Sequence, residues 1–317
     1  MPAPRTTMGI ATTSYLTARR PRDTYEFLEY CISLGSGGIQ ASLSSTDTAY
    51  IRKLRERAEQ AGMYIEVMAG LPRADSAAFE TMVRAAKDVG ALCMRTACLS
   101  GRRYETFATL VDWQKFVSDS LAAIGRALPI LEKHRMPMAV ENHKDWTVEE
   151  QVSLIKDRSS EYFGACLDTG NNIALVDDPM EVVERLAPYA FSTHIKDMGV
   201  EPYPDGFLLS EAPLGEGFLD LKRIVKTILA ARPKVKMTLE MITRDPLPIP
   251  CVTEKYWETF PDRGGRYLAR ALMMVNAKKR KQPLPRIAGL DQAAQLRLED
   301  DNVKQCLHYA REQLGLA

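Results

Sequence analysis

The sequence predicts an α/β chain that closes as a single (β/α)₈ TIM-type barrel and carries a C-terminal helical extension. Three observations predict it. Short β-rich runs alternate with longer amphipathic ones, which implies parallel strands joined by crossover helices. Eight such strand candidates occur, the number that closes a barrel of this kind. No Gly-rich phosphate loop follows the first candidate, where an open doubly wound nucleotide-binding sheet would place one.

The first candidate strand, residues 9–13, leads into a helical pattern over 22–34 and makes one βα unit. Further strands are predicted at 38–43, 63–69, 91–97, 137–142, 163–168, 190–195 and 235–241. Between them, apolar residues recur every three or four positions over 49–61, 77–89, 116–134, 147–156 and 180–186, the period of a helix with one buried face. Residues 266–278 read as the eighth helix, so the barrel is expected over 1–278. The chain then turns basic, next Pro-containing, and helical again over 291–314; this extension, 279–317, is expected to pack on the barrel or on a partner subunit. Two connections are long, 100–115 and the Pro- and Gly-rich 198–218, and 243–266 is a third irregular stretch. The first two follow strand C-termini, the face on which barrels carry their active sites.

At 317 residues one large domain is the simpler reading, since such barrels often run to about 250 residues and beyond as a unit. A 45% apolar and 26% charged composition supports a buried core and excludes disorder as the dominant state. The 42 basic and 41 acidic residues leave a charge of +1, so no global field draws the molecule to nucleic acid or an anionic membrane. Cys31, Cys93, Cys98, Cys166, Cys251 and Cys306 show no C-x-x-C spacing, and Cys31, Cys93 and Cys166, in apolar periodic segments, are expected to be reduced thiols. Residues 1–7 lack the apolar stretch of a signal peptide, and no run of about 18 apolar residues occurs, so a cytoplasmic location is expected.

The chemistry lies at the ends of strands five to eight. These read AVENHK, CLDTGN, STHIKD and TLEMIT, and present Glu141, Asp168, His194 and Glu240. A carboxylate buried at a strand end is costly unless it is paired or bound to metal. One could be an isolated salt bridge, but four consecutive strands aiming a ligand at one rim form a site. Three carboxylates and one imidazole suit a single divalent ion, foremost Mn²⁺, with Mg²⁺, Co²⁺ and Zn²⁺ as alternatives. The structural alternative has Asp168 capping the following segment, Glu141 and Glu240 paired with Lys144 and Arg244, and His194 satisfied in the core.

On these motifs the chain resembles the xylose isomerase-like TIM barrel superfamily of sugar isomerases, epimerases and related lyases. The resemblance spans about Met8 to Met274, and Pro213-Leu214-Gly215-Glu216-Gly217 is similar to the family's Gly-x-Gly turn before helix seven. It implies that Glu141, Asp168, His194 and Glu240 are metal ligands, and that the two glutamates also transfer protons. The implied enzyme is a metal-dependent isomerase or epimerase acting on a keto-sugar or sugar acid through a metal-stabilised enediolate.

The chain departs from the epimerase pattern after Glu141, where Asn142-His143-Lys144-Asp145-Trp146 replaces a more neutral Glu-Pro-x-Asn type of segment. With Lys196, Arg95 and Arg244 this gathers positive charge near the metal, which favours a substrate bearing a carboxylate or phosphate. Lys144 and Lys196 are therefore candidate catalytic groups beside Glu141 and Glu240, and His143, Arg95, Arg244 and Trp146 candidate substrate-binding ones. Trp113, Trp257, Tyr15 and Tyr203 also fall near top-face loops, where rings stack on sugars as readily as they pack in a lid or core. The segments 242–247 and 251–257 resemble 3-oxo sugar-acid decarboxylases of the oxo-isoapionate kind, so decarboxylation is the alternative reaction. An abasic-site endonuclease of the same superfamily would need many histidines, whereas the chain has four. A non-catalytic sugar-binding protein would not need the full ligand set. The expected partners are a small sugar or sugar acid and further copies of the chain, without nucleic acid or membrane.

Overall fold

The computed structural model describes residues 4–280 and 282–317. Eight parallel strands surround one axis: β1 (Gly9–Ala11), β2 (Gly38–Ala41), β3 (Tyr64–Met68), β4 (Met94–Thr96), β5 (Met138–Glu141), β6 (Phe163–Asp168), β7 (Ala190–His194) and, after the hairpin β8 (Asp197–Tyr203) and β9 (Gly206–Ala212), the short β10 (Thr238–Leu239). They pair in the order β10-β1-β2-β3-β4-β5-β6-β7, and a bridge from Ile195 to Leu239 closes the ring. All six residues of β6 are buried, as expected of a strand covered by helices outside and side chains inside.

The helices are α1 (Thr24–Ser33), α2 (Thr48–Ala61), α3 (Ala77–Asp88), α4 (Arg103–Thr106), α5 (Leu110–His134), α6 (Val148–Arg158), α7 (Pro179–Leu186), α8 (Leu221–Ala231), α9 (Glu254–Trp257), α10 (Gly265–Lys278) and α11 (Gln292–Gln313). Local chemistry starts them where the sequence signals a start. Thr147 and Glu150 form a reciprocal capping box on α6, and Asp178 caps α7 ahead of Pro179. The α11 helix lies on the barrel of its own chain, with Val303, Cys306, Leu307 and Ala310 buried in the common core. All six cysteines are free.

Two expectations about loops fail. Residues 198–218 are largely β-hairpin: β8 and β9 pair antiparallel, and β11 (Leu247–Ile249) joins β9. The turn at Pro204-Asp205 before Gly206 is a good hairpin former, but Pro202 and the glycines obscured the alternation around it. Residues 100–115 are shorter as a loop than predicted, because Thr109 caps α5 and that helix begins six residues before Phe116. The eighth strand shrinks from seven predicted residues to the two of β10.

Candidate metal centre

In a strand, residues i and i+2 face the same side, so each barrel strand stacks its inward side chains in layers. The top layer holds Glu141, Asp168, His194 and Glu240, whose donor atoms lie within 4.8 Å of one another. His194 Nδ1 stands 3.4 Å from Glu141 Oε2, 3.6 Å from Asp168 Oδ2 and 3.5 Å from Glu240 Oε2. This nitrogen is buried and has no hydrogen-bond partner, and neither has Asp168 Oδ2 a well-directed one. Buried polar atoms left open are rare, and the same three carboxylate oxygens that converge on this nitrogen are reached from the side by Arg95 and Lys196. The donor set thus fits a divalent ion and could hold one.

The structural alternative is met only in part. Asp168 does cap, through Oδ1, the amides of Gly170 and Asn171 at 2.8 and 2.7 Å, which leaves Oδ2 for the centre. Glu141 pairs with Arg95, not Lys144, and Glu240 with Lys196 at 2.5 Å, not Arg244.

Above the ligands opens a cleft of about 440 Å³ whose walls include Thr13, Arg95, His143, Lys144, Lys196 and Arg244. A larger groove of about 840 Å³ between the start of α1 and α11 contains none of the ligands. Burial, then the charges of Lys144 and Arg95, hold the His143 imidazole well below its ordinary pKa and so neutral. Burial, then Lys196 and Arg244, pushes the Lys144 ammonium down to about 7. Burial works against charge at Lys196 too, but Asp168, Glu240 and Glu211 outweigh it and raise that ammonium. Arg244, expected to await a substrate anion, is held by Glu211 of β9 at 2.5 and 3.1 Å. Trp146, expected to stack on substrate, is a correction. It is 4% exposed, sits 5.4 Å from Trp113 among α5 aromatics and does not line the cleft, because its ring completes that apolar cluster.

The model of the xylose isomerase-like TIM barrel family matches residues 28–259. The chain belongs to this family. Among curated relatives, the 3-oxo-isoapionate decarboxylase of Pectobacterium atrosepticum is 27% identical over 208 residues, which cover 63% of this chain and 71% of the relative. Solved structures with the same fold include a D-psicose 3-epimerase, at a TM-score of 0.64 and 15% identity over 97% of this chain and 99% of the other. The IolI protein with a bound zinc atom has a TM-score of 0.57 and 15% identity over 87% and 99%. Among the described residues no helix is long and apolar enough to cross a membrane.

This member of the xylose isomerase-like family also uses residues that sequence reasoning missed. Asn171 donates to Glu141 Oε1 at 2.8 Å and accepts from both Lys144 and Lys196. Thr13 donates to Glu240 Oε1 at 2.6 Å. Glu211 balances Arg244 from a hairpin read as a loop. Asn171 lies inside the quoted DTGN motif and could have been named from it; Glu211 carried no periodic signal once its strand was missed.

Proposed function

We propose that the protein is a divalent-metal-dependent enzyme acting on a sugar acid, with decarboxylation of a 3-oxo sugar acid as its reaction. One observation carries the reading. Four carboxylates, Glu141, Asp168, Glu240 and Glu211, are paired around the cleft with Arg95, Lys196 and Arg244, and Lys144, pushed down to about 7, adds a fourth basic group. A divalent ion added to this balanced set leaves an excess of positive charge, which an anionic substrate would neutralise. The relationship to the 3-oxo-isoapionate decarboxylase supports the same class.

When bound, a divalent ion at the four ligands would polarise the substrate's carbonyl and stabilise the enediolate charge left as CO₂ departs. Lys196, kept cationic by its carboxylates, neutralises the substrate at the base of the cleft. Lys144 Nζ, with a pKa near neutrality, delivers the proton that replaces CO₂ on carbon. His143, neutral and with an open Nδ1, orients a substrate hydroxyl.

A second reading, isomerisation or epimerisation of a keto-sugar, draws on the placement of Glu141 and Glu240. They reach the centre from β5 and β10 with β6 and β7 between them, so one could remove a proton and the other return one on the opposite face. Incubation of the Mn²⁺-loaded protein with 3-oxo sugar acids, keto-sugars and sugar phosphates, with products followed by mass, separates the two. Loss of CO₂ from an acid supports the first reading. Turnover of neutral keto-sugars to isomers of unchanged mass, with no acid consumed, overturns it in favour of the second.

A further inference from the structure

Below the ligands the barrel lumen is polar. Counting back two residues from His194 and from Glu240 gives Ser192 and Thr238, and the side chains of Gln40 on β2 and Glu66 on β3, in register with each other, reach them. All four are fully buried. Glu66 Oε2 accepts from Ser192 Oγ at 2.6 Å and from Gln40 Nε2 at 2.9 Å, with Thr238 Oγ1 at 3.4 Å. Gln40 Nε2 also lies 3.0 Å from Ser192 Oγ, and Gln40 Oε1 lies 2.7 Å from His194 Nε2. Among the described residues no lysine or arginine pairs with Glu66, and the layer is closed to solvent.

Burial raises the Glu66 carboxyl above its ordinary range, while the donors Ser192, Gln40 and Thr238 oppose that shift, and with Glu66 ionised the direction of every bond follows. If the Gln40 amide were turned over, its oxygen would face the Glu66 carboxylate and a serine hydroxyl whose proton is already given to Glu66. The amide oxygen therefore points up at His194. Nε2 of that histidine must then carry a proton, which leaves Nδ1 as the nitrogen a metal would meet; without one, burial opposes charge but Cys166, Glu240 and Asp168 raise the imidazole to about 10. Rotation of the ring or a change of tautomer would break the 2.7 Å bond and strand Gln40 in a closed lumen.

We propose that Gln40, oriented by Glu66 and Ser192, is a positioning residue that sets the tautomer and ring angle of His194 and thereby the affinity of the site for its metal. The inference rests on the metal reading above. Outer hydrogen bonds of this kind typically change metal affinity by about 10–100-fold.

The test titrates wild-type and variant proteins with Mn²⁺, with free ion read by electron paramagnetic resonance and melting followed in chelator. Gln40→Met keeps the volume and removes the amide, and is expected to weaken Mn²⁺ binding by about 10–100-fold. The double variant Gln40→Glu/Glu66→Gln exchanges the two groups, so that a carboxylate accepts from His194 Nε2 and an amide lies behind it. It is expected to restore binding to near the wild-type constant, which filling of the lumen alone does not predict. Wild-type affinity in Gln40→Met, or binding in the exchanged variant as weak as in Glu66→Gln alone, overturns the relay. Should Gln40→Met not fold, the exchanged variant decides by itself. Absence of Mn²⁺ binding by the wild-type protein instead overturns the metal reading, and the relay with it.

Discussion

Two kinds of buried carboxylate stand side by side in this molecule. Asp197 and Glu299 are enclosed by the chain's own amides: Asp197 accepts from Met198, Gly215, Gly217 and Leu219 at 2.9–3.1 Å, and Glu299 from Thr17, Ala18 and Arg19 at 2.8–3.3 Å. At Gly217 a Cβ would collide with the Asp197 carboxylate, so this nest requires glycine. Asp168 and its neighbours are equally buried, yet Asp168 Oδ2 has no backbone amide, only the Lys196 ammonium at 3.0 Å, and His194 Nδ1 has no hydrogen-bond partner. A carboxylate satisfied by backbone holds the fold together. One left facing an unpartnered imidazole could hold a cation from outside.

The contrast breaks most sharply at Glu240. Glu240→Gln is expected to lower kcat/KM by on the order of 10³ or more, and its stability is expected no longer to rise when Mn²⁺ is added. Retention of full Mn²⁺ content and activity would sink the assigned site. Lys144 tests the same idea for a cation, since it is buried in the cleft wall and bonded to the amide oxygen of Asn171. As its ammonium titrates at about 7, activity that needs its proton should fall as pH rises through neutrality. Lys144→Met is expected to lose roughly 10²-fold below pH 7 and to abolish that bend; a profile of unchanged shape argues for another acid.

Glu299→Ala should behave in the opposite way to Glu240→Gln. Its three amides lose their acceptor, and unfolding free energy is expected to drop by about 3 kcal/mol, with or without metal. Mn²⁺ at a hundred times its Kd should add about 2.7 kcal/mol to the wild type and to Glu299→Ala, but nothing to Glu240→Gln. Equal increments in all three would erase the distinction between the two kinds of carboxylate. Trp146→Phe carries the smallest effect, under about 1.5 kcal/mol in stability with kcat/KM unchanged. A tenfold rise in KM would put the ring in contact with substrate after all.

Legibility differed residue by residue. Glu141, Asp168, His194 and Glu240 stood out because each ends an apolar strand, and the period of such strands is short enough to read locally. Lys144, Lys196, His143 and Arg95 were legible as a group from their distance in sequence to those ligands, and all of them line the cleft or its floor. Trp146 lies just as near in sequence but turns into the α5 aromatics, a choice made by packing. Glu66 and Gln40 sit inside strands two and three, where an isolated polar residue reads locally as solvent-facing alternation.

By itself the sequence determined the order of the barrel strands and their crossover helices and the four side chains presented to one rim, because these follow from periodicity and from neighbours a few residues away. Tertiary structure alone decided which cation meets which carboxylate: Arg95 with Glu141, Lys196 with Glu240, Arg244 with Glu211. It also decided that Gln40 lies beneath His194, 154 residues away. Those pairings depend on barrel closure and on a hairpin folded back across the rim, and Coulomb and hydrogen-bond energies act on distance in space, which no spacing along the chain encodes.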